Sequence, residues 1–360
     1  MKIAIIEHGD LPLPFDENEL ALFGDAEPLR SEPQGFAIEQ MVTCDACLRA
    51  NPPTRTNCLY CAQLLPATEL NPALLKPTLR KLEEWERGFN VIYLPETTSK
   101  LSDAALTSVA ELLKLELEDL KLIVQSGRPM PLARTANQED AALIKARLAD
   151  ISVSVCCIAD AELVEDSLLP RRVRAFDLTV DEFAAPPSAA SVEVVRVAWS
   201  DITLIVLGRL FTRQLEVEER KRRKAEGEIV EARELSSDEL MLDVYFDKHE
   251  RAIRISAGNF DFSCLGTRKG LVAGQNFATL VSILRERASD ALFDESYTRL
   301  RQALTPVWPV EEHTEGRGWR RKGPGRVNTE AVTTSSNDLQ FTRYSRLLNH
   351  LRSRRLDPSK

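Results

Sequence analysis

Four cysteines have the types and spacing to do chemistry together: Cys44 with Cys47, and Cys58 with Cys61, two Cys-x-x-Cys pairs with ten residues between them. Each pair can present two thiolates from one tight turn, and the short link lets both turns close on one tetrahedral ion. Soft thiolates suit Zn2+, and four of them fill its coordination sphere. The expected metal site is therefore structural, with no position open to substrate or water.

No second constellation of this kind can be assembled. Cys156 and Cys157 are adjacent on an expected strand, so they point to opposite faces and make poor partners for one ion. They read as core thiols, as does Cys264, for which no base or electropositive setting can be located. The four histidines, His8, His249, His313 and His350, have no ligand spacing. The glycine-rich run 266–274 is one residue short between Gly266 and Gly270, and Leu271 stands where a phosphate loop needs lysine. The run Arg220, Lys221, Arg222, Arg223, Lys224 is flanked by glutamates and reads as a solvated hairpin tip. With no acid–base pair, open metal site or cofactor loop, the chain is expected to have no catalytic or cofactor-binding residues and not to be an enzyme.

Composition sets the frame. The chain has 360 residues, 43% hydrophobic and 28% charged, enough for two or three compact domains. Nothing approaches the ~20 apolar residues of a membrane span. The first eight residues hold one lysine and an apolar run too short for a signal peptide, so a cytoplasmic, reducing location is expected, where paired cysteines are metal ligands more often than disulfides. The net charge of −8 is unevenly spread: residues 311–360 carry 11 basic and 6 acidic side chains, which leaves the remainder strongly acidic. An acidic body argues against broad nucleic-acid coating and leaves room for local binding by the tail.

The elements that must position these groups follow from periodicity and punctuation. Residues 1–40, rich in Pro, Gly, Asp and Glu, read as a poorly ordered lead-in, and the cysteine module spans 41–66. Residues 72–160 form a linker helix plus a small α/β domain. The helix carries the stripe Leu75, Leu79, Leu82 and Trp85. The domain runs strand 89–94, helices 103–113, 117–125 and 138–149, then strand 152–158. A hinge is expected at 170–191, with Pro186 and Pro187. A β-rich barrel or sandwich with C-terminal helices is expected at 192–308, and a basic, largely disordered tail at 309–360. Seven short strands are expected in the β-rich part (192–198, 202–211, 214–219, 228–232, 240–246, 252–256 and 260–264), then helices at 276–287 and 296–304.

Three resemblances follow from particular residues. The spacing Cys44-x2-Cys47-x3-Asn51-x6-Cys58-x2-Cys61 resembles the Ran-binding nucleoporin type of zinc finger. That family binds ubiquitin through a Thr-Phe pair or single-stranded RNA through an aromatic and arginines. Here Leu48-Arg49 replaces Thr-Phe, and Val42 replaces the tryptophan before the first cysteine. Arg49, Arg55 and Tyr60 could still hold a base by stacking. The helix Leu115-x-Leu117-x-x-x-Lys121-x-x-Val124, the helix start Gln138-Glu139-Asp140-Ala141 and the closing strand resemble the C-terminal domain of the bacterial ribosomal stalk protein. That resemblance implies an α/β fold and protein docking. The family's factor-docking positions hold Thr107, Ala110, Glu111, Lys114, Glu116 and Glu118, which lack most of its basic and glycine residues. Seven strands, a helix and the opening VAWSDITLIVLGRL (197–210) resemble a pleckstrin-homology-like domain.

The reading is a multi-domain α+β protein: a zinc ribbon, a stalk-protein-like α/β domain and a β-rich domain. Its expected work is non-catalytic, as a zinc-binding interaction or scaffold protein that docks a protein partner. The alternative is a nucleic-acid- or ribosome-associated protein using the ribbon and the Arg-rich tail. Salt dependence of RNA or DNA retention separates the two.

Overall fold

A computed structural model describes residues 35–66, 68, 77, 79–83, 85–95, 101–165, 169–185, 195–222, 225–247, 252–323 and 326–356. The lead-in up to residue 34 lies outside them. The chain divides into two units, 1–74 and 75–360. The fold is mixed α+β.

In the first unit a short 3-10 helix, Ile38–Gln40, precedes the two-stranded antiparallel pair β1 (Val42–Thr43) and β2 (Ala50–Asn51). Val42, Cys44, Cys58 and Leu65 form its small core.

The second unit opens without the expected linker helix. Residues 79–83 and 85–88 are in no helix, and the rest of the stripe from Leu75 lies outside the described residues. The reason is local: the Glu86 carboxylate accepts from the Glu83 backbone N–H (2.8 Å) and from Arg80 Nη1 (2.6 Å), which closes a turn. Leu82 is buried while Trp85 is 79% exposed, so they share no apolar face.

The α/β segment follows as β3 (Phe89–Tyr93), α1 (Asp103–Leu113), α2 (Leu117–Gln125), β4 (Met130–Thr135), α3 (Gln138–Asp150) and β5 (Val155–Ala159). Its sheet is antiparallel in the order β4-β3-β5. Ser102 Oγ caps α1 by accepting from Ala105 N (3.2 Å), and Asn137 Oδ1 caps α3 by accepting from Asp140 N (2.7 Å). Leu106, Val109, Leu120, Ile144 and Leu148 meet Val91 and Val155 in one core, and Val124 packs against it. The sequence reading lacks β4.

Next come α4 (Asp160–Val164), β6 (Arg171–Val173), β7 (Asp177–Leu178), β8 (Glu182–Ala185) and β9 (Val195–Ala198). The expected hinge is thus strand-forming up to Ala185, where Phe176 and Phe183 are buried; residues 186–194 lie outside the described ones. Strands β7, β8 and β9 form a small antiparallel sheet.

Two very long strands replace the expected short ones: β10 (Ile202–Arg222) and β11 (Ala225–Phe246), paired antiparallel along their length. Then follow β12 (Ile253–Ser256), α5 (Ala273–Arg287), β13 (Leu292–Asp294) and α6 (Tyr297–Leu304). The strand expected at 260–264 is instead the start of a 3-10 helix, Phe262–Arg268, because the Asp261 carboxylate caps it by accepting from Ser263 N (3.0 Å). The expected disordered tail is ordered as β14 (Glu311–Gly323), β15 (Arg326–Ser336) and α7 (Asp338–Leu356). Burial accounts for this: Phe341, Tyr344 and Leu347 of α7 are each 0% exposed.

The large sheet runs β14-β15-β10-β11-β12-β6, with β13 alongside β10. Near its root both faces are covered. Leu204, Val206, Met241 and Tyr245 join the core shared with the α/β segment, α6 and α7. Ile205, Leu242, Val244 and Phe246 join a second core with Phe183, Trp199, Phe277 and Leu280. The period-2 alternation sends successive side chains to the two cores. Farther out, residues 231–238 and 312–318 are exposed, so the distal half is a four-stranded arm. The stalk-like and β-rich regions expected as separate domains therefore share one core in one unit. Among the described residues no helix is long and apolar enough to cross a membrane.

Candidate metal centre

The four cysteines converge. Their Sγ atoms all lie within 4.8 Å of one another, with Cys44 to Cys61 at 3.6 Å and Cys47 to Cys58 at 3.5 Å. A tetrahedron of sulfurs at ~2.3 Å from zinc has edges of ~3.8 Å, so the set fits one ion. None of the four is in a disulfide.

Two near-identical turns build the centre. In the first, Leu48 N donates to Cys44 O (2.8 Å) and Cys44 N donates to Arg49 O (3.0 Å). In the second, Ala62 N donates to Cys58 O (3.0 Å) and Cys58 N donates to Gln63 O (2.7 Å). Each turn closes through a left-handed residue, Leu48 at φ 58° and Ala62 at φ 57°. Neither is glycine, so each carries ~1–2 kcal/mol of backbone strain, which metal binding must outweigh.

Asn51 joins the turns. Its side chain is fully buried, donates to Arg49 O (2.8 Å) and accepts from Leu59 N (2.8 Å). The asparagine of the spaced motif is thus the clamp that sets one cysteine pair against the other.

The electrostatics favour a cation. Burial raises the Cys58 thiol, but the N–H groups of Tyr60 and Cys61 outweigh it and bring the thiol down to about 6. The N–H of Arg49 lowers Cys47, yet burial and the neighbouring sulfurs push it up to about 12. One thiolate therefore forms readily, and a second beside it is opposed unless a positive ion sits between them. Four sulfurs leave no donor gap for a reacting ligand, which suits a structural ion.

Other groups weighed in the sequence do not assemble. Among the described residues these four cysteines are the only set of three or more His, Cys, Asp or Glu placed to hold a metal. Burial pushes Cys156 and Cys264 up to about 11, so neither is a ready thiolate. His313 lies beside Glu315 (3.4 Å) and His350 beside Glu162 (3.5 Å); His8 and His249 lie outside the described residues. Lys269 of the glycine-rich run is paired with Asp261 (3.2 Å). Of the stalk-like docking positions, Thr107, Glu111, Lys114, Glu116 and Glu118 are exposed and Ala110 is buried.

No protein-family model, curated protein or solved structure matches the chain.

Proposed function

We propose that this chain is a non-catalytic, zinc-binding interaction protein, whose four-cysteine module and α/β segment present docking surfaces to a protein partner. The observation that carries the reading is the closed set of four thiolates, within 4.8 Å of one another, on two turns with little else to hold them. A ligand set of this kind folds a small segment and does not turn over substrate.

The surface of the module supports docking. Leu48 and Tyr60 are 78% and 56% exposed, and the Arg49 guanidinium lies 4.7 Å from the centre of the Tyr60 ring. Exposed apolar and aromatic side chains beside an arginine are the residue types that anchor protein interfaces. The stalk-like reading draws support from the expected helices at Asp103–Leu113 and Leu117–Gln125, packed on an antiparallel sheet.

The test is affinity capture after nuclease treatment, with the wild-type chain and with Cys58→Ser. Protein partners that survive nuclease and are lost with Cys58→Ser are the expected result. Capture that is the same for both chains, or that vanishes with nuclease, would contradict the reading.

A further inference from the structure

Three arginines among the described residues are almost wholly buried, and two of them are engaged. Arg254 is held by Asp243 and Asp338, and Arg346 donates to the Glu162 carbonyl (3.0 Å). Arg343 of α7, 6% exposed, donates no hydrogen bond and joins no ion pair among the described residues, and its Nε is sealed from solvent. The carboxylates that act on it are Asp160, which already accepts from Gly88, Asn90 and Arg134, and Glu311. Burial outweighs both and brings the guanidinium down to about 10. A buried cation without a partner costs the fold stability, and groups of this kind cluster at functional sites. Arg343 lines a cavity of about 260 Å3 with Leu339, one turn earlier on α7, and with Arg134 of β4. Lys81, Leu82, Arg134 and Pro309 line both this cavity and a second one of about 420 Å3, so the two adjoin. The second has an apolar wall of Leu79, Leu82, Leu113, Leu115, Leu132 and Val307.

We propose that these adjoining cavities bind a small amphiphilic monocarboxylate, with its carboxylate on Arg343 and its hydrocarbon chain along the leucines. The guanidinium fork matches the two oxygens of a carboxylate at once. The charged side chains on the wall of the larger cavity are all cations, Arg80, Lys81, Lys114 and Arg134, and they favour an anion there. Glu83, Glu311 and Glu312 line the smaller cavity, which disfavours a dianion such as a phosphate monoester and suits a single negative charge. An apolar wall with a few convergent polar groups is the ordinary build of a small-molecule site. The site lies in the second unit, goes beyond the docking reading and does not rest on it.

The test is titration calorimetry and thermal melting of the full chain with octanoate, octanol, octyl phosphate and acetate. Octanoate is expected to bind one per chain, to raise the melting temperature, and to bind at least tenfold tighter than the other three. Arg343→Met should weaken octanoate at least tenfold and leave octanol unchanged. Without ligand it should melt no lower than wild type, because an apolar side chain replaces an unpaired buried charge. Leu115→Ser, on the apolar wall, should weaken octanoate severalfold. Octanoate bearing a terminal diazirine should label wild-type peptides that contain residues 113–115 or 132–134, a readout that needs no variant to fold. Cys58→Ser should bind octanoate like wild type, which keeps this result separable from failure of the metal module. No saturable octanoate binding would overturn the proposal, as would octanol or octyl phosphate binding as tightly, or labels confined to other peptides. So would Arg343→Met that binds octanoate like wild type, or that melts far below wild type without ligand, since the guanidinium would then serve the fold alone. Tighter binding of a leucine-rich tripeptide with a free C-terminus than of octanoate would overturn it in favour of a peptide end.

Discussion

At the scale of single residues, the candidate metal centre depends on side chains outside the four cysteines. Asn51 is the clearest, because its two hydrogen bonds hold both cysteine turns at once. Asn51→Ala leaves the Leu59 N–H and the Arg49 carbonyl without that partner, at a cost of about 1–3 kcal/mol. Outer-shell groups of this kind are worth about 10–100-fold in metal affinity. Competition with a chromophoric chelator should show a loss in that range while the second unit melts unchanged. A loss under twofold would show that the turns are set by the metal alone. The convergence of the four cysteines was legible in the sequence because its information is local: two Cys-x-x-Cys turns and an asparagine within eighteen residues. The left-handed φ at Leu48 and Ala62 was not legible, since neither residue type advertises it.

At the scale of elements, helices were legible and long strands were not. The stripes at 103–113, 117–125 and 138–149 correspond to α1, α2 and α3, because helical period and capping residues are written into neighbouring positions. Strand β4 was hidden by Pro131, which would break a central strand but is tolerated here because β4 lies at the sheet edge. Strands β10 and β11 were split into pieces because beyond their roots the two-face alternation is lost: β11 is exposed throughout 231–238, and β10 is mostly half-buried over 211–219. The root itself contains a close approach. A Cβ on Gly208 would sit 2.4 Å from Cε2 of the fully buried Phe341 ring, so α7 packs against β10 only because residue 208 is glycine. Gly208→Ala is expected to cost about 1–3 kcal/mol in chemical denaturation, and Gly208→Ala with Phe341→Leu to recover part of it. Equal stability of Gly208→Ala and wild type would mean that α7 does not sit on the strand as described.

At the scale of the whole second unit, a buried polar chain ties its first strand to its last helix. Asp160 accepts from Gly88 N (2.8 Å), Asn90 Nδ2 (2.9 Å) and Arg134 Nε (2.9 Å). Asn90 Oδ1 accepts from Trp308 Nε1 (2.8 Å), and the Trp308 carbonyl accepts from Gln340 Nε2 (2.7 Å). Gln340 Oε1 accepts from Tyr297 Oη (2.9 Å), which in turn accepts from Asn337 Nδ2 (2.9 Å). None of this was legible in the sequence, because every step joins residues far apart in the chain. It also reverses the expectation for the tail. Deleting 311–360 removes three fully buried large side chains, Phe341, Tyr344 and Leu347, and should leave the second unit unfolded or insoluble. A deletion variant with native-like near-UV circular dichroism and melting would contradict this account.

The same chain makes the unit acid-sensitive. Burial alone would raise the Asp160 carboxyl, but hydrogen bonds from Arg134 and Asn90 outweigh it and hold it below the ordinary value of 3.8. A depressed carboxyl adds stability above its unfolded-state value, and that share is lost as pH falls through the folded value. Asp160→Asn is therefore expected to lower stability at neutral pH and to flatten the fall in melting temperature below about pH 4. Parallel pH profiles for the two chains would show that Asp160 does not contribute to the fall.

The central claim is that Cys44, Cys47, Cys58 and Cys61 hold one structural zinc ion. Elemental analysis with native mass spectrometry, on full-length chain purified without chelator under reducing conditions, tests it most directly. The account predicts one zinc per chain, absent from Cys58→Ser, whose second unit still melts as in wild type because the apparent ~10–16 kcal/mol of zinc binding folds only the small module. Freshly purified chain without zinc, or zinc retained when all four cysteines are replaced by serine, would contradict it.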